Sequence, residues 1–202
     1  MRVKMLFDAG EYERAMDSVV LDTEDDLDTF CLRILSEFYV YQKSISSTNE
    51  ESKTSRLMRL RTNAEAIFAK YDSDTVVCYL NAIILKADRH YSSSPSVSAL
   101  IESLLIKSVS LNEMNWAAWA ELSVLPETQE GIRAKSLSSY VLYPFYLAEY
   151  TLETAGDSAK AVKYFSQLSV QTPYVITRLA TAHHNCRDYE SAERLFEQIR
   201  AR

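Results

Sequence analysis

The hydrophobic positions of this chain recur at three- and four-residue steps along most of its length. Near the N-terminus, for example, this spacing joins Leu27, Phe30, Cys31, Ile34 and Phe38. Such a period places apolar side chains on one face of an α-helix. Segments of this kind alternate with short polar breaks, so the pattern predicts helix, turn and helix, repeated along the chain.

Two polar stretches interrupt the helical pattern and predict flexible loops. The first lies near 43–55, where "SISSTNEESKTS" is rich in serine, and the second lies near 89–97, around "DRHYSSSPS". The whole chain of 202 residues contains only 3 Gly and 4 Pro. An all-β fold needs many tight turns, so this scarcity favours an all-α fold.

One eleven-residue pattern occurs three times, as "AGEYERAMDSV" from residue 9, "AGDSAKAVKYF" from residue 155 and "CRDYESAERLF" from residue 186. Each copy has a small residue or cysteine, then Gly or Arg, then an acid. An alanine follows four residues after the acid. A recurring corner of this kind indicates a helical repeat architecture.

The pattern resembles the tetratricopeptide repeat, which is about 34 residues long and contains A-x3-F followed by a closing proline. Ala161 and Phe165 match A-x3-F, Pro173 takes the closing position, and Ala192 with Phe196 match again. Small residues let two helices approach closely, and neighbouring pairs must stack to bury their apolar faces. We therefore predict one array of tetratricopeptide hairpins over 1–202, stacked into a right-handed superhelix.

The turn before the second copy is predicted to be slightly long. Ala148 precedes Ala161 by thirteen residues, whereas Ala180 precedes Ala192 by twelve. If these alanines mark equivalent positions of successive helix pairs, the first of the two turns contains one extra residue.

The net charge is -6 and the sequence pI is about 5.2. Phosphate binding needs a clustered positive surface, so we predict no nucleic-acid partner, and a basic peptide suits the sign better. The three cysteines include no CxxC motif, which argues against a disulfide framework or a zinc ribbon. No apolar run approaches the ~18 residues of a membrane span, so we predict no membrane contact.

Few residues of the sequence suggest metal binding, cofactor binding or catalysis. His183, His184 and Cys186 are close in sequence, but adjacent side chains on a helix diverge, so we predict no metal site. Three glycines cannot form a phosphate-binding or dinucleotide-binding motif, and we predict no cofactor and no enzymatic activity. The alternative is a helical enzyme in which Glu149 and Glu153, one helical turn apart, act as an acid–base pair.

Three stretches resemble a particular protein family: "VKMLFDAGEYERAMDSVV", "NEMNWAAWAELSVL" and "YVITRLATAHHNCRDYESAERLFEQIRAR". They are similar, in this order, to the N-terminal half of anaphase-promoting complex subunit eight, also called cell division cycle protein twenty-three. Family members resemble "HWGAWLEL" where this chain has "NWAAWAEL", and "AVAYHNIRDIDKA" where it has "ATAHHNCRDYESA". Family chains continue with further repeats, so the chain is expected to be part of a longer protein.

The resemblance implies a non-catalytic scaffold subunit of a ubiquitin ligase that drives mitotic exit, working in the nucleus and cytoplasm. It implies a homodimer formed through the N-terminal repeats, contacts with other subunits of the complex, and a groove for a short Arg-containing coactivator motif. The alternative is a tetratricopeptide adaptor for another peptide, such as a chaperone tail. Such an adaptor would grip a terminal carboxylate with Lys and Arg.

In this repeat geometry the first helix of each pair lines the groove. The predicted groove residues are Tyr79, Glu149, Glu153, Thr177, Thr181, His184 and Asn185. Glu149 and Glu153 would pair with a ligand arginine by charge-assisted hydrogen bonds. In the alternative, both are solvated surface charges.

The N-terminal corner presents apolar residues with no preceding repeat to cover them. The predicted dimer residues are Met5, Leu6, Tyr12, Met16 and Val20. The end of a repeat array normally carries a polar cap, and a twofold partner is the commonest cover for an apolar end. The alternative is that a native cap is missing because the chain is a fragment.

Overall fold

The structure is a computed structural model and describes residues 2–18, 26–44, 50–88, 94–125 and 136–201, except for the side chains of residues 44, 50–53 and 66. Within these ranges it contains helices and no strand, so the predicted all-α fold is confirmed. The helices are α1 Arg2–Asp8, α2 Tyr12–Asp17, α3 Leu27–Ser44, α4 Glu50–Lys70, α5 Thr75–Ala87, α6 Pro95–Leu111, α7 Trp116–Ser123, α8 Tyr143–Glu153, α9 Ser158–Gln167, α10 Pro173–Asn185 and α11 Tyr189–Arg200.

The chain divides into two compact units, Met1–Leu111 (unit 1) and Asn112–Arg202 (unit 2). Helices that follow one another in sequence pack together within each unit, most closely α5 with α6, α10 with α11, and α8 with α9. This pairing agrees with the predicted helical hairpins. A single continuous array over 1–202 stays a prediction.

The helices extend into both predicted loops. α3 reaches Ser44 and α4 begins at Glu50, so both ends of the loop predicted near 43–55 are helical, and residues 45–49 lie outside the described residues. α6 begins at Pro95, so the C-terminal end of the loop predicted near 89–97 is helical as well, and residues 89–93 lie outside the described residues. Two acids open the α4 sequence, and acids favour a helix N-terminus, whereas the serine content of this stretch suggested a loop.

Each unit has its own apolar core. The core of unit 1 joins α3, α4 and α5 and contains Phe30, Cys31, Ile34, Phe38, Leu57, Leu60, Ala64, Val77, Leu80, Ile83 and Ile84. In unit 2 one core cluster joins α8, α9 and α10, where alanines face larger side chains. It contains Ala148, Leu152, Ala161, Phe165, Leu168, Val175, Leu179 and Ala182.

The three copies of the eleven-residue pattern all form corners between paired helices. The second residue of each copy has a left-handed backbone, with φ of 74° at Gly10, 66° at Gly156 and 63° at Arg187. A left-handed residue ends a helix and redirects the chain, and glycine adopts it most readily. Arg187 adopts the same left-handed conformation in the third copy, although its Cβ makes this conformation less favourable than it is for glycine.

The first and third corners close with the same pair of hydrogen bonds. At the third corner the backbone N–H of Arg187 donates to the carbonyl of His184 at 2.9 Å, and that of Asp188 donates to His183 at 3.0 Å. Gly10 and Glu11 repeat this arrangement at the first corner, with both distances 2.9 Å. It is the Schellman motif, which satisfies carbonyls left open at the end of a helix.

The second corner is wider, as the alanine spacing predicted. The N–H of Asp157 donates to the carbonyl of Thr151 at 3.1 Å, and the N–H of Ala155 donates to Tyr150 at 3.0 Å. At the third corner the equivalent bonds run from Asp188 to His183 and from Cys186 to Ala182, so each bond at the second corner spans one residue more. The extra residue in the sequence is therefore absorbed at the end of α8.

The acid and the alanine of the pattern start the second helix of each pair. Asp157 and Asp188 each accept a hydrogen bond from the backbone N–H three residues ahead, at 3.0 and 3.2 Å. Such N-caps satisfy donors that the first turn leaves unpaired. The alanines Ala15, Ala161 and Ala192 are 0%, 0% and 3% exposed, so each lies where two helices pack closely.

Candidate peptide-binding face of unit 2

Five side chains from three helices of unit 2 meet in a charged-aromatic cluster. They are Trp116 on α7, Glu149 and Glu153 on α8, and Tyr174 and Arg178 on α10. Glu149 and Glu153 lie one turn apart on α8, and Tyr174 and Arg178 lie one turn apart on α10, so each helix presents two members from one face. The Trp116 and Tyr174 rings meet edge to face, with centroids 5.8 Å apart.

Arg178 binds both carboxylates. Its Nε donates to Oε1 of Glu149 at 2.9 Å and its Nη2 donates to Oε2 at 2.7 Å, so the two side chains form a bidentate ion pair. The same Nη2 also donates to Oε1 of Glu153. Tyr174 donates its hydroxyl hydrogen to Oε1 of Glu149 at 2.9 Å. A planar guanidinium suits this geometry, because its N–H donors match a carboxylate in pairs.

The two carboxylates differ in exposure. The side chain of Glu149 is 6% exposed and that of Glu153 is 43% exposed, with Arg178 between them at 20%. Two carboxylates and one guanidinium leave the cluster with a formal charge of −1. The excess negative charge is therefore carried next to solvent, at Glu153.

The environment shifts the pKa values of two cluster members. Burial raises the pKa of Tyr174 to about 12, and the charge and hydrogen bond of Glu149 act in the same direction. Burial lowers the pKa of the Arg178 guanidinium, but its hydrogen bonds to Glu149 and Glu153 outweigh this, so the net pKa lies above the ordinary value. Both groups therefore keep their protons throughout the physiological range.

The sequence predicted a charge-assisted pair between these acids and a ligand arginine. The structure contains such a pair, but the arginine belongs to the chain itself. Glu149 is not a solvated surface charge, because it is almost fully buried, whereas Glu153 reaches solvent.

The sequence analysis did not identify Arg178 as the partner of Glu149, although the positions of the two residues relative to the repeat alanines indicated it. Glu149 follows Ala148 directly, and Arg178 lies two residues before Ala180, the matching alanine of the next helix pair. The two side chains are thus offset by about one helical turn between neighbouring first helices. A basic residue at that offset from an acid is a candidate internal partner.

The other predicted groove residues of unit 2 follow α10 towards its C-terminus. Thr177 and Thr181 donate their hydroxyl hydrogens to carbonyls one turn back in the same helix, at 2.8 and 3.0 Å. His184 is exposed and meets the Tyr189 ring edge to face at 5.3 Å. Asn185 is exposed at the last position of α10.

Tyr79, the remaining groove prediction, belongs to α5 of unit 1. It is half-buried and packs against the core of that unit. Its assignment to a shared groove stays a prediction.

The predicted dimer residues differ in how much of each side chain is exposed to solvent. Met5 is 67% exposed, whereas Leu6 and Met16 are half-buried, and Val20 lies outside the described residues. The Tyr12 ring lies 4.9 Å from that of Tyr39 on α3 and is therefore partly covered by the chain itself.

Of the two adjacent histidines, His183 contacts the residue that begins the next helix. Nδ1 of His183 lies 2.9 Å from Oδ2 of Asp188, the N-cap of α11, and Cys186 is exposed. Over the described ranges, no group of three or more His, Cys, Asp or Glu side chains is placed to hold a metal ion.

None of the described helices combines the length and the apolar character that crossing a membrane requires.

Comparison with known proteins gives a consistent result. Residues 1–180 match the model of the family described as anaphase promoting complex subunit 8 / Cdc23. The chain is 31% identical over 135 residues to anaphase-promoting complex subunit 8 of Dictyostelium discoideum, an alignment that covers 64% of this chain and 22% of the relative. It is 23% identical over 209 aligned positions to the human cell division cycle protein 23 homolog, covering 98% and 34%.

The chain thus spans about a fifth to a third of the length of these curated relatives. The family consists of structural subunits that are not themselves catalytic, which confirms the prediction that the chain is not an enzyme and leaves no support for an acid–base role of Glu149 and Glu153. With the match over 1–180, the corner geometry and the paired helices, the chain belongs to the anaphase promoting complex subunit 8 / Cdc23 family.

Proposed function

We propose that the chain is part of a scaffold subunit of the anaphase-promoting complex, which docks other subunits and receives an Arg-containing coactivator motif in cell-cycle control. The family match over 1–180 is the observation that carries this proposal. The test is to isolate the tagged full chain from cells that contain the complex. Recovery of other subunits of the complex is expected, and recovery of the chain alone would contradict the proposal.

The charged-aromatic cluster is the proposed docking point for the coactivator motif. Its formal charge of −1, carried at the exposed Glu153, suits a basic residue, and the adjoining Trp116 and Tyr174 rings suit an apolar neighbour of that residue. By contrast, the guanidinium of Arg178 already binds two carboxylates. This arrangement favours a basic peptide over the terminal carboxylate that a chaperone adaptor would grip.

Peptide binding can be measured by fluorescence polarisation with an arginine-containing coactivator peptide. Glu153→Lys is expected to weaken binding at least about tenfold, because it replaces attraction by repulsion at the exposed carboxylate. The matched control is Glu190→Lys, on an exposed glutamate of α11 that lies outside the cluster. Equal affinities for both variants and the unchanged chain would remove the proposed docking point.

Homodimerisation through α1 and α2 is also part of the proposal, and the 67% exposure of Met5 supports it. Light scattering at high protein concentration should give the mass of a dimer, and Met5→Glu should lower that mass. A monomer at all concentrations would refute this part. Residence in the nucleus and cytoplasm is proposed as well, and a fluorescent fusion tests it.

A further inference from the structure

Arg33 on α3 of unit 1 has buried hydrogen-bond donors without an acceptor. Its Nε and Nη1 atoms are buried and have no hydrogen-bond partner among the described residues. Buried polar groups are hydrogen-bonded in the great majority of cases, and an unsatisfied buried donor destabilises a fold. In unit 2, by contrast, both Nε and Nη2 of Arg178 donate to carboxylates. The described part of the chain thus holds the guanidinium of Arg33 but not its acceptor.

The nearest acid ahead on the same face of α3 does not serve as that acceptor. Glu37 lies one turn beyond Arg33, and its side chain is 7% exposed. It pairs instead with Arg59 of α4, whose Nε lies 3.4 Å from Oε1 of Glu37. Two guanidinium groups and one carboxylate give these three side chains a formal charge of +1. The unsatisfied donors therefore coincide with an excess of positive charge.

We propose that Arg33 is a docking point of unit 1 for a single carboxylate, supplied by an aspartate or glutamate side chain of a partner protein. One carboxylate provides the missing acceptor atoms, which suit a guanidinium in geometry, and it also neutralises the formal charge of +1. A phosphate group carries a charge of about −1.5 to −2, so it would leave excess negative charge beside the buried Glu37. The inference concerns unit 1 and does not depend on the docking proposed for unit 2.

The donors can reach such a ligand because Arg33 is half-buried and not fully enclosed. Part of its side chain lies at the surface, and rotation about its terminal bonds turns Nε and Nη1 towards a carboxylate there. This rotation also removes two unsatisfied donors from the interior, so binding relieves an unfavourable arrangement of the unbound chain.

The first test is the stability of the unbound chain. Arg33→Met removes the unsatisfied donors, so the urea midpoint of unit 1 should stay the same or rise. Thiol labelling of Cys31 and Cys78, both buried in unit 1, reports the midpoint. The control is Arg61→Met, which should lower the midpoint, because Arg61 bonds to an acid of unit 1 at 3.3 Å. A midpoint lowered by Arg33→Met as much as by Arg61→Met would overturn the proposal, since Arg33 would then have an acceptor in the chain itself.

The second test measures binding by NMR, through the Nε–H signals of the arginines in the full chain labelled with nitrogen-15. The probe is N-acetylglutamate amide, which has one carboxylate, and the glutamine analogue is its neutral counterpart. The Arg33 signal is the one that Arg33→Met lacks. It should shift with the glutamate probe alone. Half-saturation should need at least about tenfold less probe than for Arg194, whose side chain is 68% exposed, because a less solvated guanidinium binds an anion more strongly.

Three results of these measurements would refute a carboxylate site for a partner protein. The Arg33 signal could respond no more than that of Arg194, or inorganic phosphate could bind to Arg33 more tightly than the glutamate probe. Light scattering could also show a lower mass for Arg33→Met than for the unchanged chain, in which case a second copy supplies the acceptor. None of these results bears on the scaffold function or on the docking proposed for unit 2.

Discussion

Removing the guanidinium of Arg178 should destabilise unit 2 strongly. Arg178→Met keeps much of the side-chain length but leaves the Glu149 carboxylate buried, with the Tyr174 hydroxyl as its remaining donor among the described residues. Breaking a buried ion pair from one side costs about 3–5 kcal/mol. Arg178 is 20% exposed and the tyrosine bond remains, so we expect a loss near the lower limit, about 3 kcal/mol.

The measurement is urea unfolding of the full chain followed by tryptophan fluorescence. Both tryptophans, Trp116 and Trp119, belong to unit 2, and Trp119 is fully buried, so the signal reports on this unit. The control is Arg194→Met, which breaks an exposed pair and should cost less than about 0.5 kcal/mol.

A second substitution distinguishes the destabilisation caused by an unpaired buried charge from that caused by lost packing. Glu149→Leu in the Arg178→Met background removes the unpaired carboxylate, and replacing a buried ion pair by apolar residues is often neutral. The double variant should therefore recover about 2 kcal/mol relative to Arg178→Met alone. If Arg178→Met loses no more stability than Arg194→Met, or if the double variant is no more stable than the single one, the electrostatic account of the cluster is wrong.

Three further predictions concern the corners and the thiols. Gly156→Ala should cost about 1 kcal/mol in urea unfolding, because no heavy atom of the described residues beyond its chain neighbours lies within 4 Å of the added Cβ, so the cost comes from the left-handed φ. Arg187→Gly should gain about as much. Ala161→Leu should lose about 1–3 kcal/mol of stability by circular dichroism, since this alanine is 0% exposed. Thiol titration should find Cys186 reactive in the native protein, and Cys31 reactive only after unfolding, since burial raises the pKa of Cys31 to about 12.

The corners were predictable because their signals are local. A left-handed residue, an acidic N-cap and a buried alanine all fall within one eleven-residue stretch, and each acts on backbone groups a few positions away. Even the extra residue before Ala161 could be counted, and it appears as wider hydrogen-bonded turns at the end of α8. The start of α4 was missed because a serine-rich composition gives no position for a helix boundary.

The charged-aromatic cluster was only half predictable, because its pairing depends on register between helices that are far apart in sequence. Sequence analysis located the acids Glu149 and Glu153 on one helical face, but it could not say whether their cation comes from a ligand or from the next helix pair. Arg178 answers this for Glu149, whose burial requires a permanent counter-charge. The exposed Glu153 has no such requirement. In a repeat array, a charged groove residue should therefore be compared with the first helix of the next pair, one turn out of register, before it is assigned to a partner.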